Sequence, residues 1–408
     1  MLLYVNGAKE MKLFSDLNKK QIERLFFKLP EEVFSTSEKE VLSYALASTL
    51  YMPATRPNIY HDLLIKKHPA LTSMVICLED SIGDHEVEVA ERKLVEELTH
   101  IYQALEEGVL VKNELPLIFI RIRSVAQFLK IMHALGDKIA LLTGIVIPKF
   151  EAVAGKIILK EVENYNKLGH CLYAMPILET KKIIEKETRM EELLSIKKVL
   201  DHYKHLILNV RIGATDFCGL YGIRRNAETT VYDIAIIRDC ISDIVNLFTR
   251  ADSAYVVSGP VWEYFTTKER VLIPQLRETP FRKRYGKAGM NMRTQLIDKH
   301  MDGLIREVMM DITNGLTGKT IIHPTHIKPV QALNVVSYEE YLDACNIIDS
   351  SNGDIGVMKS SFSNKMNEIK PHFYWAQKII LKSKVYGVFH EGTTYIDLLK
   401  QENFITNH

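Results

Sequence analysis

Eight short apolar runs rich in β-branched residues punctuate this chain, and their recurrence constrains its fold more than any other feature. They are STLYMPA (48–54), SMVICLE (73–79), LIFIRIR (117–123), GIVIPKF (144–150), CLYAMPILET (171–180), LILNVRIG (206–213), AYVVSGP (254–260) and TIIHP (320–324). Most carry four to six apolar residues, the pattern of strands buried on both faces. The segments between them have helical spacing. Ala90, Leu94, Leu98, Ile101 and Leu105 step by three or four, as do Leu193, Ile196, Val199 and Leu200, which puts each set on one helix face. Strand–helix alternation repeated eight times predicts an α/β protein built as a (β/α)8 barrel. A doubly wound sheet usually gives fewer strands, and no GxGxxG follows the first run.

The barrel is expected over residues 46–326. Residues 1–45, with KKQIERLFFKLPEEVF, read as an N-terminal helical extension. Residues 327–408, with SYEEYLDACNII and FYWAQKIILKSKVYGV, read as a C-terminal helical lid. The balance of 52 Lys+Arg against 51 Asp+Glu gives no global pull toward nucleic acid or an anionic membrane. Five scattered cysteines without a CxxC argue against a disulfide framework or a zinc–thiolate site, and for a reducing compartment. No apolar run approaches the ~18 residues of a membrane span, and MLLYVNGAKEMK meets charge too early for a signal peptide. The expectation is a cytoplasmic protein with neither membrane nor nucleic-acid partners.

In such a barrel, chemistry belongs where the strands end. Arg56 follows the first run and Glu79-Asp80 ends the second. The third ends in Arg121 and Arg123, and the fourth in Lys149 with Glu151. Glu179 closes the fifth, Asp216 follows the sixth, and His323 lies on the eighth. Charges beside buried runs need a partner or a ligand. Glu179 and Asp216 end neighbouring strands, so two hard oxygen ligands converge there, a set suited to Mg2+ or Mn2+. Capping of the following helices is the competing explanation for both acids. Arg121 offers two parallel donors to a substrate carboxylate, or a buried ion pair to Glu79 or Asp80. Lys149 beside an acid reads as a rim ion pair before a Schiff-base lysine, and His323 as a hydrogen-bonded barrel histidine before a base. Asp84 is the better cap for the helix after the second run, which leaves Glu79 and Asp80 free to face the barrel mouth.

LYMPATRP, ICLEDSI, FIRIRS, VIPKFE, ILET, GATDFCGLYGIRR and GKTIIHPTHI, in that order, resemble the citrate lyase β-subunit-like enzymes of the HpcH/HpaI aldolase superfamily. The resemblance covers roughly residues 48–330 and every expected strand but the seventh. It implies a TIM barrel and a magnesium site. It also implies reversible C–C cleavage next to a carbonyl, on acyl-CoA thioesters or 2-oxo acids. On that footing Glu179 and Asp216 are the metal carboxylates and Arg121 the substrate-carboxylate arginine, while Glu79 and Asp80 order that arginine and the water around the metal. Gly318, Lys319, His323 and Pro324 fall on the family's GKxxIHP segment.

Where the family has RIN this chain has RIR, so Arg123 adds a cation, and the family's KA-containing helix is not evident after the first strand. Residues 268–293 form a basic insertion with eight Lys/Arg against two Glu, a local +6. Within it Arg282 and Arg284 suit a phosphorylated or nucleotide-bearing substrate. In related acyl-CoA lyases a C-terminal lid donates an acid to a neighbouring subunit. Here SNKMNEIKPHFYWA puts Glu368 in that place and implies a trimer or hexamer. NKMNE with KPH looks like a divergent branch associated with tellurium-resistance and stress-gene clusters.

The expected chemistry is a metal-assisted retro-aldol or Claisen-type cleavage on a carboxylate-bearing 2-oxo, hydroxy-acid or acyl-CoA-like substrate. The metal would stabilise the enolate, Arg121 and Arg123 would balance charge, Arg56, Lys149 and His323 would help bind the substrate, and Glu368 or water near Asp80 would take the proton. Thioester hydrolysis or phosphoenolpyruvate chemistry could use the same groups. A non-catalytic binding component of a stress-response system is the reading from a different class.

Overall fold

The computed structural model describes residues 13–265, 299–351, 356–362 and 364–400. Each of the eight apolar runs supplies one parallel strand. These are β1 (Ser48–Pro53), β2 (Ser73–Cys77), β3 (Leu117–Arg121), β4 (Gly144–Ile147), β5 (Tyr173–Leu178), β6 (Val210–Ile212), β7 (Val257–Ser258) and β8 (Lys319–Ile321). The hydrogen-bonded order is 7-6-5-4-3-2-1-8, and a parallel bridge between Gly259 and Lys319 joins β7 to β8. The alternation has therefore produced a closed barrel and not an open sheet. Its outward faces pack beneath helices such as Val87–Glu106, whose Ala90, Leu94, Leu98 and Ile101 are fully buried. Burial on both faces is what makes the strands read as unbroken apolar runs.

The barrel interior is apolar over its lower half, with Val75, Leu117, Phe119, Val146 and Met175, and continues into the N- and C-terminal segments. Phe26–Lys28 pairs antiparallel with Val388–Phe389, and Phe26 stacks on Phe389 at 5.8 Å. Tyr386 donates its hydroxyl to the Tyr44 carbonyl at 2.7 Å. The long helix Ile369–Tyr386 thus packs beside Lys39–Ala45, the helix that leads into β1. Within one chain these helices sit with the N-terminal segment where strands begin, away from the chain's own catalytic end. The short hairpin of Val357–Lys359 and Met366–Glu368 projects from them.

The basic insertion 268–293, with Arg282 and Arg284, lies outside the described residues. Among the described residues no helix is long and apolar enough to cross a membrane.

Candidate active site

Four strand ends deliver the charges. β2 runs directly into Glu79 and Asp80, β3 ends at Arg121, Lys149 lies just past β4 and Glu179 just past β5. A single Arg121 nitrogen, Nη2, lies 2.6 Å from Glu79 Oε2, 2.8 Å from Asp80 Oδ2 and 3.3 Å from Glu179 Oε1. Its Nε is buried and unpartnered. Lys149 Nζ bridges Glu79 Oε1 at 2.5 Å and Asp80 Oδ1 at 2.9 Å. The Lys149 backbone is left-handed, with φ 46°, a conformation that costs a non-glycine residue energy. That turn aims its own N–H at Glu179 Oε1, 2.8 Å away. The rim ion pair is the part Lys149 plays here.

Asp216 comes from the first turn of Ala214–Leu220, the helix after β6, and its carboxyl hydrogen-bonds that of Glu179. Neither acid caps a helix, since Thr180 and Gly213, the cap residues, make no side-chain cap bond and Glu179 is spent on Arg121 and Lys149. Room for the pair depends on Gly213, because a Cβ there would sit 2.1 Å from Glu179 Oε2. Burial, only partly offset by Arg121 and reinforced by Asp216, pushes Glu179 up to about 8. Burial and the Asp80 charge raise Asp216, and burial also raises Glu79. Asp80 goes the other way, because its hydrogen bonds to Glu79 and Lys149 outweigh burial.

Four acids (Glu79, Asp80, Glu179, Asp216) face two cations (Arg121, Lys149) at one barrel mouth, so two of the acids have no cation to match. Glu179 and Asp216 are close enough to share a hydrogen bond. That donor set fits a hard divalent cation. Among the described residues no three His, Cys, Asp or Glu side chains gather into a metal cluster.

Other expected residues sit elsewhere. Arg123 turns back on the loop after β2, donating to the carbonyls of Leu78 (2.7 Å), Ile82 (2.6 Å) and Glu79 (3.1 Å), and pairing with Asp84 at 3.0 Å. It is a clamp for the Glu79-Asp80 loop, not a free cation at the mouth. Asp84, expected as a helix cap, is instead this arginine's partner, and the helix from Val87 has no side-chain cap bond. Arg56 pairs with Asp62 at 2.6 Å and lines a cavity of about 470 Å³ between the outer face of β1 and β2 and the helix Ile59–Leu64. His323 stacks on Phe265 at 4.3 Å and meets the Thr325 hydroxyl at 2.8 Å. Glu368 is exposed on the C-terminal hairpin, and among the described residues its carboxylate bonds none of the mouth groups.

Strand ends alone did not point to Arg211. It sits in the middle of the sixth run, 1% exposed, bonded to the hydroxyls of Thr320 (2.9 Å) and Thr49 (3.4 Å) and lying over the Tyr51 ring. The signal was there as the one charge inside LILNVRIG.

Residues 40–388 match the family described as C-C bond lyase of the TIM-barrel fold. The chain belongs to that family. A C–C lyase on a TIM barrel is what the ordered motifs implied. Solved structures share its fold at low identity. A citrate lyase from Burkholderia xenovorans is 12% identical, with a TM-score of 0.54 over 86% of this chain and 95% of that one. CitE from Mycobacterium tuberculosis, in complex with magnesium, acetoacetate and coenzyme A, is 15% identical, with a TM-score of 0.50 over 83% and 99%. No curated protein matches the chain.

Proposed function

We propose that this lyase uses magnesium, or manganese, to break or form a carbon–carbon bond next to a carbonyl. Its substrate would bear a carboxylate: a 2-oxo acid, a hydroxy acid or an acyl-CoA-like compound, phosphorylated if the basic insertion serves it. The observation that carries the reading is the Glu179–Asp216 pair in a mouth where four acids face two cations. The magnesium, acetoacetate and coenzyme A bound by the M. tuberculosis CitE support it. Glu179 and Asp216 would hold the ion, which supplies Lewis acidity at the oxygens of the substrate.

Arg121 would take the substrate carboxylate, exchanging part of its contact with Glu79, Asp80 and Glu179 for a charge-assisted pair. Lys149, bridging Glu79 and Asp80, keeps those acids in place when Arg121 turns to substrate. Within one chain the exposed Glu368 is not joined to the mouth. As the base that removes the hydroxyl proton it would therefore act from a second copy, in a trimer or hexamer. Its hairpin is fixed for that purpose by Lys365, which pairs with Asp343 and Glu339 at 2.8 Å.

Calorimetric titration of Glu179→Ala and Asp216→Ala with magnesium tests the reading. Each should lose binding at least tenfold, and wild-type affinity in both would end the assignment. Turnover of 3-hydroxyacyl-CoA, 4-hydroxy-2-oxo acids and phosphosugar acids then identifies the substrate.

A further inference from the structure

Glu179 is fixed from three sides: by β5, by the Lys149 N–H and by Arg121. Asp216 has no such frame. It sits on a helix of seven residues whose N-cap, Gly213, has no side chain to hold the first turn. A helix that short does not fix its own direction, and the like charge on Asp80 presses against Asp216. Something else must hold the turn.

A run of bonds reaches it from the far side of the barrel wall. Lys319 Nζ, fully buried at β8, bridges Glu307 Oε1 at 2.9 Å and Asp311 Oδ2 at 2.7 Å. Glu307 Oε2 accepts from Arg225 Nη1 at 2.5 Å and from the Val231 N–H at 2.9 Å. Arg225 is 4% exposed, lies over the Trp262 ring at 5.3 Å, and donates Nη2 to the Val261 carbonyl. Its remaining donor, Nε, meets Glu263 Oε2 at 3.4 Å. Glu263 Oε1 in turn accepts the Thr215 hydroxyl at 2.6 Å. Thr215 is the residue before Asp216.

We propose that Thr215, Glu263 and Arg225 are positioning residues for Asp216. Glu263 clamps the first turn of the helix through Thr215, and Arg225, immobilised by Glu307 and the Val261 carbonyl, orients Glu263. A hydroxyl-to-carboxylate bond at 2.6 Å is charge-assisted and directional, which suits it to hold a turn against the repulsion at the mouth. None of the three residues contacts Glu179, Asp216's proposed partner at the ion. The inference rests on the reading of Glu179 and Asp216 as the metal pair.

Magnesium titration calorimetry and metal-free thermal melts on the full chain test it, with Thr215→Val, Thr215→Ser, Glu263→Ala and Asp216→Ala side by side. Thr215→Val and Glu263→Ala should each weaken magnesium binding by about 10- to 100-fold, the usual cost of losing a group that orients a ligand. Their metal-free melting temperatures should stay within a few degrees of wild type, and Thr215→Ser should restore affinity. Wild-type affinity in Thr215→Val, while Asp216→Ala loses binding, overturns the inference and leaves the metal reading standing. Unchanged affinity in Asp216→Ala overturns both. A metal-free melting temperature that falls in step with affinity, without rescue by Thr215→Ser, makes the bond part of the scaffold and also overturns the inference.

Discussion

Gly213 shows how a single missing atom shapes the site. Its φ of −95° is open to any residue, so glycine is there for space and not for backbone freedom. An added Cβ would stand 2.1 Å from Glu179 Oε2 and 2.4 Å from its Cβ. Gly213→Ala should therefore destabilise the fold by about 1–3 kcal/mol, as overpacking does, and weaken magnesium binding at least tenfold. Urea denaturation and calorimetry check the two parts. Arg121 makes the complementary point. Its place at a strand end was legible in RIR, but one nitrogen serving three carboxylates was not. Arg123, two residues on, looked equivalent in the sequence. Alternation along a strand sends neighbours two apart to the same face, but β3 ends at Arg121, and past it the chain turns and gives Arg123 to the carbonyls of the β2 loop.

Among the elements, the strands held closely to their apolar runs, with differences where the chain leaves the ladder. LILNVRIG yields only Val210–Ile212, preceded by an isolated bridge at Ile207. The helix Ile369–Tyr386 carries a feature no periodicity reveals. Burial lowers Lys382 to about 8 despite Glu340 nearby, and Lys378 adds to the shift. No hydrogen bond or ion pair joins its ammonium among the described residues. Because its folded pKa lies below the unfolded 10.5, its cost is largest at and below pH 8 and is relieved as pH rises from about 8 toward 10.5. Lys382→Met should raise stability at pH 7, by on the order of 1–3 kcal/mol, and flatten that part of the profile. Thermal melts at pH 7 and pH 10 compare the two proteins. A variant that gains nothing at pH 7 would show the ammonium to be well solvated.

At the scale of the molecule, the first and last described segments pack against each other beneath the barrel. Phe26, stacked on Phe14 (5.4 Å) and Phe389 (5.8 Å), fastens the N-terminal segment to the last strand. Phe389→Ala should cost about 3–5 kcal/mol, the range for a buried phenylalanine. The loss should appear as a lower denaturation midpoint of the whole barrel rather than fraying of the C-terminus, because the aromatic cluster is continuous with the interior residues Val75 and Phe119. A separate early transition in urea, with the barrel midpoint unmoved, would refute that continuity. The (β/α)8 alternation was legible in the amino-acid order alone, since burial on both faces writes itself as apolar runs at a fixed spacing, and so were the strand ends that bear charge. Which of those charges meet was settled by the fold in three dimensions. Ion pairs such as Lys149 with Glu79 or Lys319 with Glu307 join residues far apart in sequence, and a contact of that kind leaves no local pattern. It exists only once barrel closure has brought the strand ends within reach of one another.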